Sequence, residues 1–169
     1  MDSRTLGRTG RQVSVVGLGC WQLGADWGDV GEDDALAVLH AALDSGVTFL
    51  DTADVYGTGR SESLIGRFIQ AEKPKNLFVA TKLGRFPDPG WPQNFSAGSF
   101  RTHTEASLKR LGLEALDLTQ LHCIPPERLK SGEPFEWLEA LKKEGKLKHY
   151  GASVESVDEA LWCIRNVPG

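Results

Sequence analysis

The chain has 169 residues, 40% of them hydrophobic and 25% charged, with a formal net charge of -4. That is ordinary globular composition, long enough for one domain with a sizeable core, and the acidic balance removes any overall electrostatic case for nucleic acid or an acidic membrane as partner. Cys20, Cys123 and Cys163 are widely spaced and odd in number, which argues against a disulfide framework or a zinc site and for a reducing, cytoplasmic setting.

Residues 1–4 lack the apolar stretch of a signal peptide, and no segment approaches the ~20 apolar residues of a membrane helix. Residues 3–13 read as a short hairpin, with Gly7 and Gly10 in turn positions. Strands and helices then alternate. Residues 13–19 are a mostly apolar, β-branched run. Residues 33–45 carry Leu36, Leu39 and Leu43 on one helical face, and Gly46 suits the C-terminal cap. Residues 47–51 are the second strand. Residues 61–70 read as a helix with Leu64, Ile65, Phe68 and Ile69 on its buried side and Ser61 as N-cap. Residues 77–82 form the third strand, and a loop bearing Pro and Trp covers 86–95.

A helix over 99–111, stopped by Gly112, leads to the fourth strand at 116–122. The polar stretch with Pro125, Pro126 and Pro134 reads as a loop, residues 135–144 as a helix and 149–153 as the fifth strand. The basic run Lys142, Lys143, Lys146 and Lys148 reads as a solvated helix end. Ser156 and Glu159 have capping-box spacing, opening a last helix that ends near Pro168.

Strand–helix units of ~30–40 residues in uninterrupted alternation predict a parallel sheet with helices packed outside it. A dinucleotide-binding turn of the doubly wound kind needs GxGxxG after the first strand. Here the glycines are Gly17, Gly19 and Gly24, so the third is misplaced and that fingerprint is absent. Asp51, Lys82 and His122 instead fall at the ends of three successive strands, with Tyr56 in the loop after the first. Reactive residues at the ends of several strands favour a barrel. The expected fold is therefore α/β, a parallel TIM-barrel-type (βα) arrangement with five of eight units present, one domain over 1–169, and an N-terminal hairpin.

Taken singly, each reactive residue has an ordinary explanation. Asp51 and Lys82 suit a structural ion pair, Tyr56 a packed loop tyrosine and His122 a hydrogen-bonded core histidine. His40, His103 and His149 are scattered without metal-ligand spacing, so no metal site is expected. Cys123 beside His122 is a poor nucleophile candidate, because neighbours on a strand point to opposite faces.

Together the motifs resemble the aldo-keto reductase family. Asp51-Thr52-Ala53-Asp54-Val55-Tyr56-Gly57, with Gly59, Ser61 and Glu62, is similar to its signature. So are Ala80-Thr81-Lys82, the strand-end His122, the opening 4–10 segment and Val16-Gly17-Leu18-Gly19. The resemblance covers the whole chain in order. It implies an NADPH-dependent oxidoreductase that reduces aldehydes or ketones, NADH being possible, with a small carbonyl compound as partner. It makes Tyr56 the proton donor, assisted by Lys82, Asp51 and His122, and places Gly19, Cys20, Trp21, Asp51 and Ser153 at the nicotinamide.

Elementary chemistry agrees with those roles. Carbonyl reduction needs a hydride on carbon and a proton on oxygen. A phenol is a weak acid, and an adjacent ammonium favours its phenolate. A carboxylate holds the ammonium in place, and an imidazole donates to the substrate oxygen.

Two departures from the family pattern stand out. Where the family often reads Gly-x-Ser-Asn, this chain has Gly151-Ala152-Ser153-Val154, which removes one carboxamide anchor. A complete barrel takes ~250 residues and eight units; the family's remaining strands bind the adenosine and phosphate end of the cofactor. The expectation is a shortened form, weakly active or inactive, with two open sheet edges available for self-association. The second expectation is a non-catalytic module, since the family's barrel also serves as a cofactor-sensing subunit of potassium channels.

Overall fold

Strands and helices alternate as the sequence indicates, in a computed structural model that describes residues 1–26 and 28–167. Two short strands, β1 (Ser3–Thr5) and β2 (Gln12–Ser14), pair antiparallel as the N-terminal hairpin. Gly10 sits in its connection at φ 68, a left-handed backbone that costs glycine no Cβ clash. β3 (Leu18–Gly19), β4 (Phe49–Asp51), β5 (Phe78–Leu83), β6 (Leu116–His122) and β7 (Leu147–Ser153) form one sheet in that order, each pair parallel.

The helices are α1 (Glu32–Asp44), α2 (Arg60–Glu72), α3 (Ala97–Leu111), α4 (Pro126–Ser131), α5 (Glu133–Lys143) and α6 (Val157–Asn166). The result is a partial barrel of the TIM type, α/β throughout, with β3 and β7 at its two open edges. None of the described helices is long and apolar enough to cross a membrane.

β5 lies at the centre, and all six of its residues are buried. Parallel strands covered on both faces are near-continuous apolar runs; Thr81 and Lys82 are the exceptions, and they stand near the C-terminal end. Leu39, Leu64, Phe68, Phe100, Leu111 and Leu138 pack in one core with almost no exposure. Each such side chain contributes about 1.5–3 kcal/mol on burial.

α3 begins at Ser96, whose hydroxyl accepts from Ser99 N–H, and Gly112 closes it at φ 66. The capping box expected at α6 is present in full, Ser156 accepting from Glu159 N–H and the Glu159 carboxylate from Ser156 N–H.

The structure corrects four readings. The run 13–19 divides: Val13 belongs to the hairpin, and only Leu18–Gly19 pairs with β4. Reciprocal hydrogen bonds of 2.9 Å between Ser14 and Thr48 hold the chain where it crosses over. Ser61 is not an N-cap. Gly59, at φ 94, takes that place, and the buried Ser61 hydroxyl donates to the Cys20 carbonyl at 2.8 Å and meets the Thr52 hydroxyl at 2.9 Å.

The stretch after Pro125 is helical, because Pro126 at the first position of α4 has a fixed φ suited to a helix start. The basic run is not simply solvated: Lys146 reaches Glu105 at 2.9 Å and Lys148 reaches Asp117 at 2.7 Å. Pro168, the expected helix stop, lies outside the described residues.

Candidate active site

Parallel pairing puts the C-terminal ends of all five strands at one mouth. β4 ends on Asp51, β6 on His122 and β7 on Ser153, while Lys82 is the penultimate residue of β5. Beyond β4 the chain turns at residues 52–59 into α2 and carries Tyr56 over the mouth.

Lys82 is the hub. Its Nζ donates to Asp51 Oδ1 at 2.6 Å, to the Thr52 carbonyl at 2.9 Å and to the Tyr56 hydroxyl at 3.1 Å. An ammonium has three N–H donors, and all three are taken. The Lys82 side chain is 7% exposed and that of Asp51 38%, so solvent reaches the carboxylate and hardly reaches the ammonium.

Tyr56 lies in an aromatic sandwich. The Trp21 ring stacks on it at 6.0 Å between centroids, and the His122 ring stands edge-on at 5.8 Å. His122 is held neutral: burial, then the charges of Lys82 and Arg85, push its imidazole down to about 4. A neutral imidazole carries one N–H, enough to donate one hydrogen bond. These rings, with Asp26, Val55, Thr58 and Arg85, line a cleft of about 570 Å³. A second concavity of about 420 Å³, against Phe135, Tyr150 and Trp162, shares none of these residues.

The loop carrying Tyr56 is fastened to the loop after β3. Asp26 Oδ2 accepts from Gly57 N–H at 3.0 Å, and the Arg60 guanidinium donates to the carbonyls of Leu23 and Val30. Gly24 and Gly57 touch backbone to backbone: a Cβ on Gly24 would lie 2.6 Å from Gly57 N. Only glycine permits that approach.

The residues expected at the nicotinamide divide. Gly19 is in register with Asp51 and leaves open space where a Cβ would stand. Trp21 is exposed at the cleft. Ser153 is half-buried in register with His122, its hydroxyl 3.7 Å from the Cys123 thiol. Cys20 is fully buried, its Sγ 3.5 Å from the Leu18 carbonyl, and burial pushes the thiol up to about 12, so it offers backbone and no reactive sulfur. Val154 packs against the core. Among the described residues no group of His, Cys, Asp and Glu could hold a metal ion.

Sequence reasoning missed Asp26, Arg60 and Arg85, which sit in loops or at a helix start where spacing carries no signal. It named Asp54 and Glu62 within the motif and His103 as a scattered histidine, but missed that these three and Arg110 form a buried set behind Tyr56. Glu62 accepts from the Thr81 hydroxyl at 2.5 Å and from Arg110 Nε at 2.7 Å. A glutamate beside Leu64 and Ile65 on an apolar helix face was the available hint.

A parallel barrel-type sheet with carboxylate, phenol, ammonium and imidazole at the C-terminal mouth defines a barrel protein equipped for proton transfer. The family model of the aldo/keto reductase family matches residues 15–167, and the chain belongs to that family. It is 36% identical over 172 residues to L-galactose dehydrogenase of Arabidopsis thaliana, covering 99% of this chain and 53% of that protein. The holo form of aldo-keto reductase AKR11C1 from Bacillus halodurans superposes with a TM-score of 0.86 at 31% identity, over 99% of this chain and 55% of that one. An aldo-keto reductase from Klebsiella pneumoniae in complex with NADPH gives 0.78 at 27% identity, over 98% and 54%. The chain thus spans about half the length of the relatives it matches.

Proposed function

We propose that this chain carries the proton-transfer machinery of a nicotinamide-dependent carbonyl reductase, converting aldehydes or ketones to alcohols. One observation carries the reading: Lys82 Nζ bridges Asp51 Oδ1 at 2.6 Å and the Tyr56 hydroxyl at 3.1 Å. Tyr56 delivers its proton to the carbonyl oxygen. Lys82, already donating to that hydroxyl, stabilises the phenolate left behind, and Asp51 keeps the ammonium aimed. Neutral His122 donates to the same carbonyl oxygen and orients it. The apolar faces of Trp21 and Val55 hold the rest of the substrate and exclude water.

The residues present fit a nicotinamide in part. Open space at Gly19, the exposed face of Trp21 and the Ser153 hydroxyl suit it, whereas Val154 is turned to the core and offers no hydrogen bond. When bound, the cofactor supplies the hydride. NADPH is favoured because the Klebsiella pneumoniae neighbour is described in complex with it. Titrating NADPH while following tryptophan fluorescence tests the cofactor, since Trp21 faces the cleft; a flat response at millimolar cofactor supports a non-catalytic module instead. Loss of carbonyl reduction in Tyr56→Phe is the expected result for the proton donor. Undiminished turnover in that variant overturns the assignment.

A further inference from the structure

Two residues before Tyr56, the Asp54 side chain is 0% exposed, and no side chain donates a hydrogen bond to either oxygen; the adjacent Val55 N–H is the backbone donor that acts on the carboxyl, without forming a well-aligned hydrogen bond. Oδ2 lies 4.0 Å from Nδ1 of His103, which is also buried and also unpartnered. The other His103 nitrogen, Nε2, lies 3.1 Å from the Asp88 carbonyl. A carbonyl only accepts, so Nε2 carries the hydrogen, and the neutral ring leaves Nδ1 a bare lone pair. Two acceptors that face each other across 4.0 Å in a buried site repel unless one of them carries a proton.

The charges around the pair agree. Glu62 on α2 is also 0% exposed, and its one cationic partner, Arg110 on α3, is bound to it at 2.7 Å. Arg110 therefore neutralises Glu62 and leaves Asp54 without a counter-ion of its own. Lys82 on β5 is occupied by its three acceptors.

We propose that Asp54 is held as a neutral carboxylic acid whose O–H closes the 4.0 Å gap to donate to His103 Nδ1, and that this proton pins the Tyr56 loop to α3. Asp54 is then a positioning residue, acting through the backbone that carries the phenol; its own N–H donates to the Lys82 carbonyl at 3.1 Å. Burial, then the Glu62 charge, raises the acid to about 8, against the smaller opposing pulls of Arg110, the Val55 N–H and Lys82. Burial also lowers the His103 imidazole, which keeps the ring an acceptor. Above that pH the proton leaves, the carboxylate faces a lone pair and the loop is released.

The pinning role rests on the reading of Tyr56 as proton donor; the protonation state does not. The test is a carbon-13 NMR titration of the Asp54 carboxyl and the Tyr56 ring in the whole chain. The expected result is a carboxyl midpoint near pH 8, with Tyr56 ring signals shifting at the same midpoint. In Asp54→Asn, whose amide donates at every pH, that Tyr56 shift is absent. A carboxyl midpoint below pH 5 overturns the neutral acid. A midpoint near 8 that Tyr56 does not follow, or a Tyr56 shift that survives in Asp54→Asn, overturns the pinning role. If Tyr56→Phe keeps full carbonyl reduction, the reductase reading fails while the titration still decides the protonation state.

Discussion

Tyr56, Lys82 and Asp51 form a chain of dependence that mutation can separate. Removing the phenol in Tyr56→Phe deletes general acid catalysis, a loss of about 10²–10⁴-fold in kcat with KM little changed, read by steady-state carbonyl reduction. Lys82→Met leaves Asp51 without its buried partner and Tyr56 without its donor, so kcat falls by a similar factor while NADPH quenching of Trp21 persists. His122 makes a different prediction. Its imidazole is pushed from the ordinary value down to about 4, so it is neutral from pH 5 upward and contributes no acid limb there. The unfolded chain takes up that proton near 6.5. The resulting stability is complete above pH 6.5 and is lost as pH falls through 4, about 3 kcal/mol in all. Urea unfolding at pH 7 and pH 4 in wild type and His122→Phe isolates this share.

At the scale of elements, glycines and caps set the spacing. Gly66 lets α2 lie directly on α3, for a Cβ there would collide with the Arg110 carbonyl and the Leu111 backbone. Gly66→Ala therefore forces the helices apart, at a cost of about 1–3 kcal/mol, read as a lowered thermal midpoint. Ser156→Ala removes one side of the α6 capping box and costs about 1 kcal/mol.

These elements were legible because their signals are local. The periodicity of α2, the Ser156–Glu159 spacing and the apolar start of β5 at Phe78–Ala80 each lie within one element. Errors arose where a local signal had two uses. The β-branched run 13–19 serves both hairpin and barrel, and Ser61 is a good cap that tertiary contacts with Cys20 and Thr52 draw inward. Asp51, Tyr56, Lys82 and His122 were readable from order along the chain. The Asp54–His103 approach was not, because 49 positions separate the partners and only the packing of α3 on the Tyr56 loop joins them.

For the whole molecule, two titratable groups, the buried Asp54 and the half-buried His122, pull stability in opposite directions with pH. Asp54 is raised from the ordinary value of 3.8 to about 8. The folded state then binds a proton that the unfolded chain has released, so this contribution is full below pH 4 and is lost as pH rises through 8. His122 works the other way between pH 4 and 6.5, and the two largely cancel there. Between pH 6.5 and 8 Asp54 acts against little opposition, and unfolding free energy is expected to fall by about 2 kcal/mol. Urea titrations at those two pH values in wild type and Asp54→Asn check this, the variant showing the flatter profile.

Asp51, Tyr56 and Lys82 all lie within one strand–helix–strand unit, β4 to β5, and the Lys82–Asp51 bond spans only 31 positions. A ribosome has therefore added the last member of this hydrogen-bonded trio before it reaches His122 or Ser153. The phenol, the ammonium and the carboxylate can close on one another while β6 and β7, with His122 and Ser153, are still untranslated.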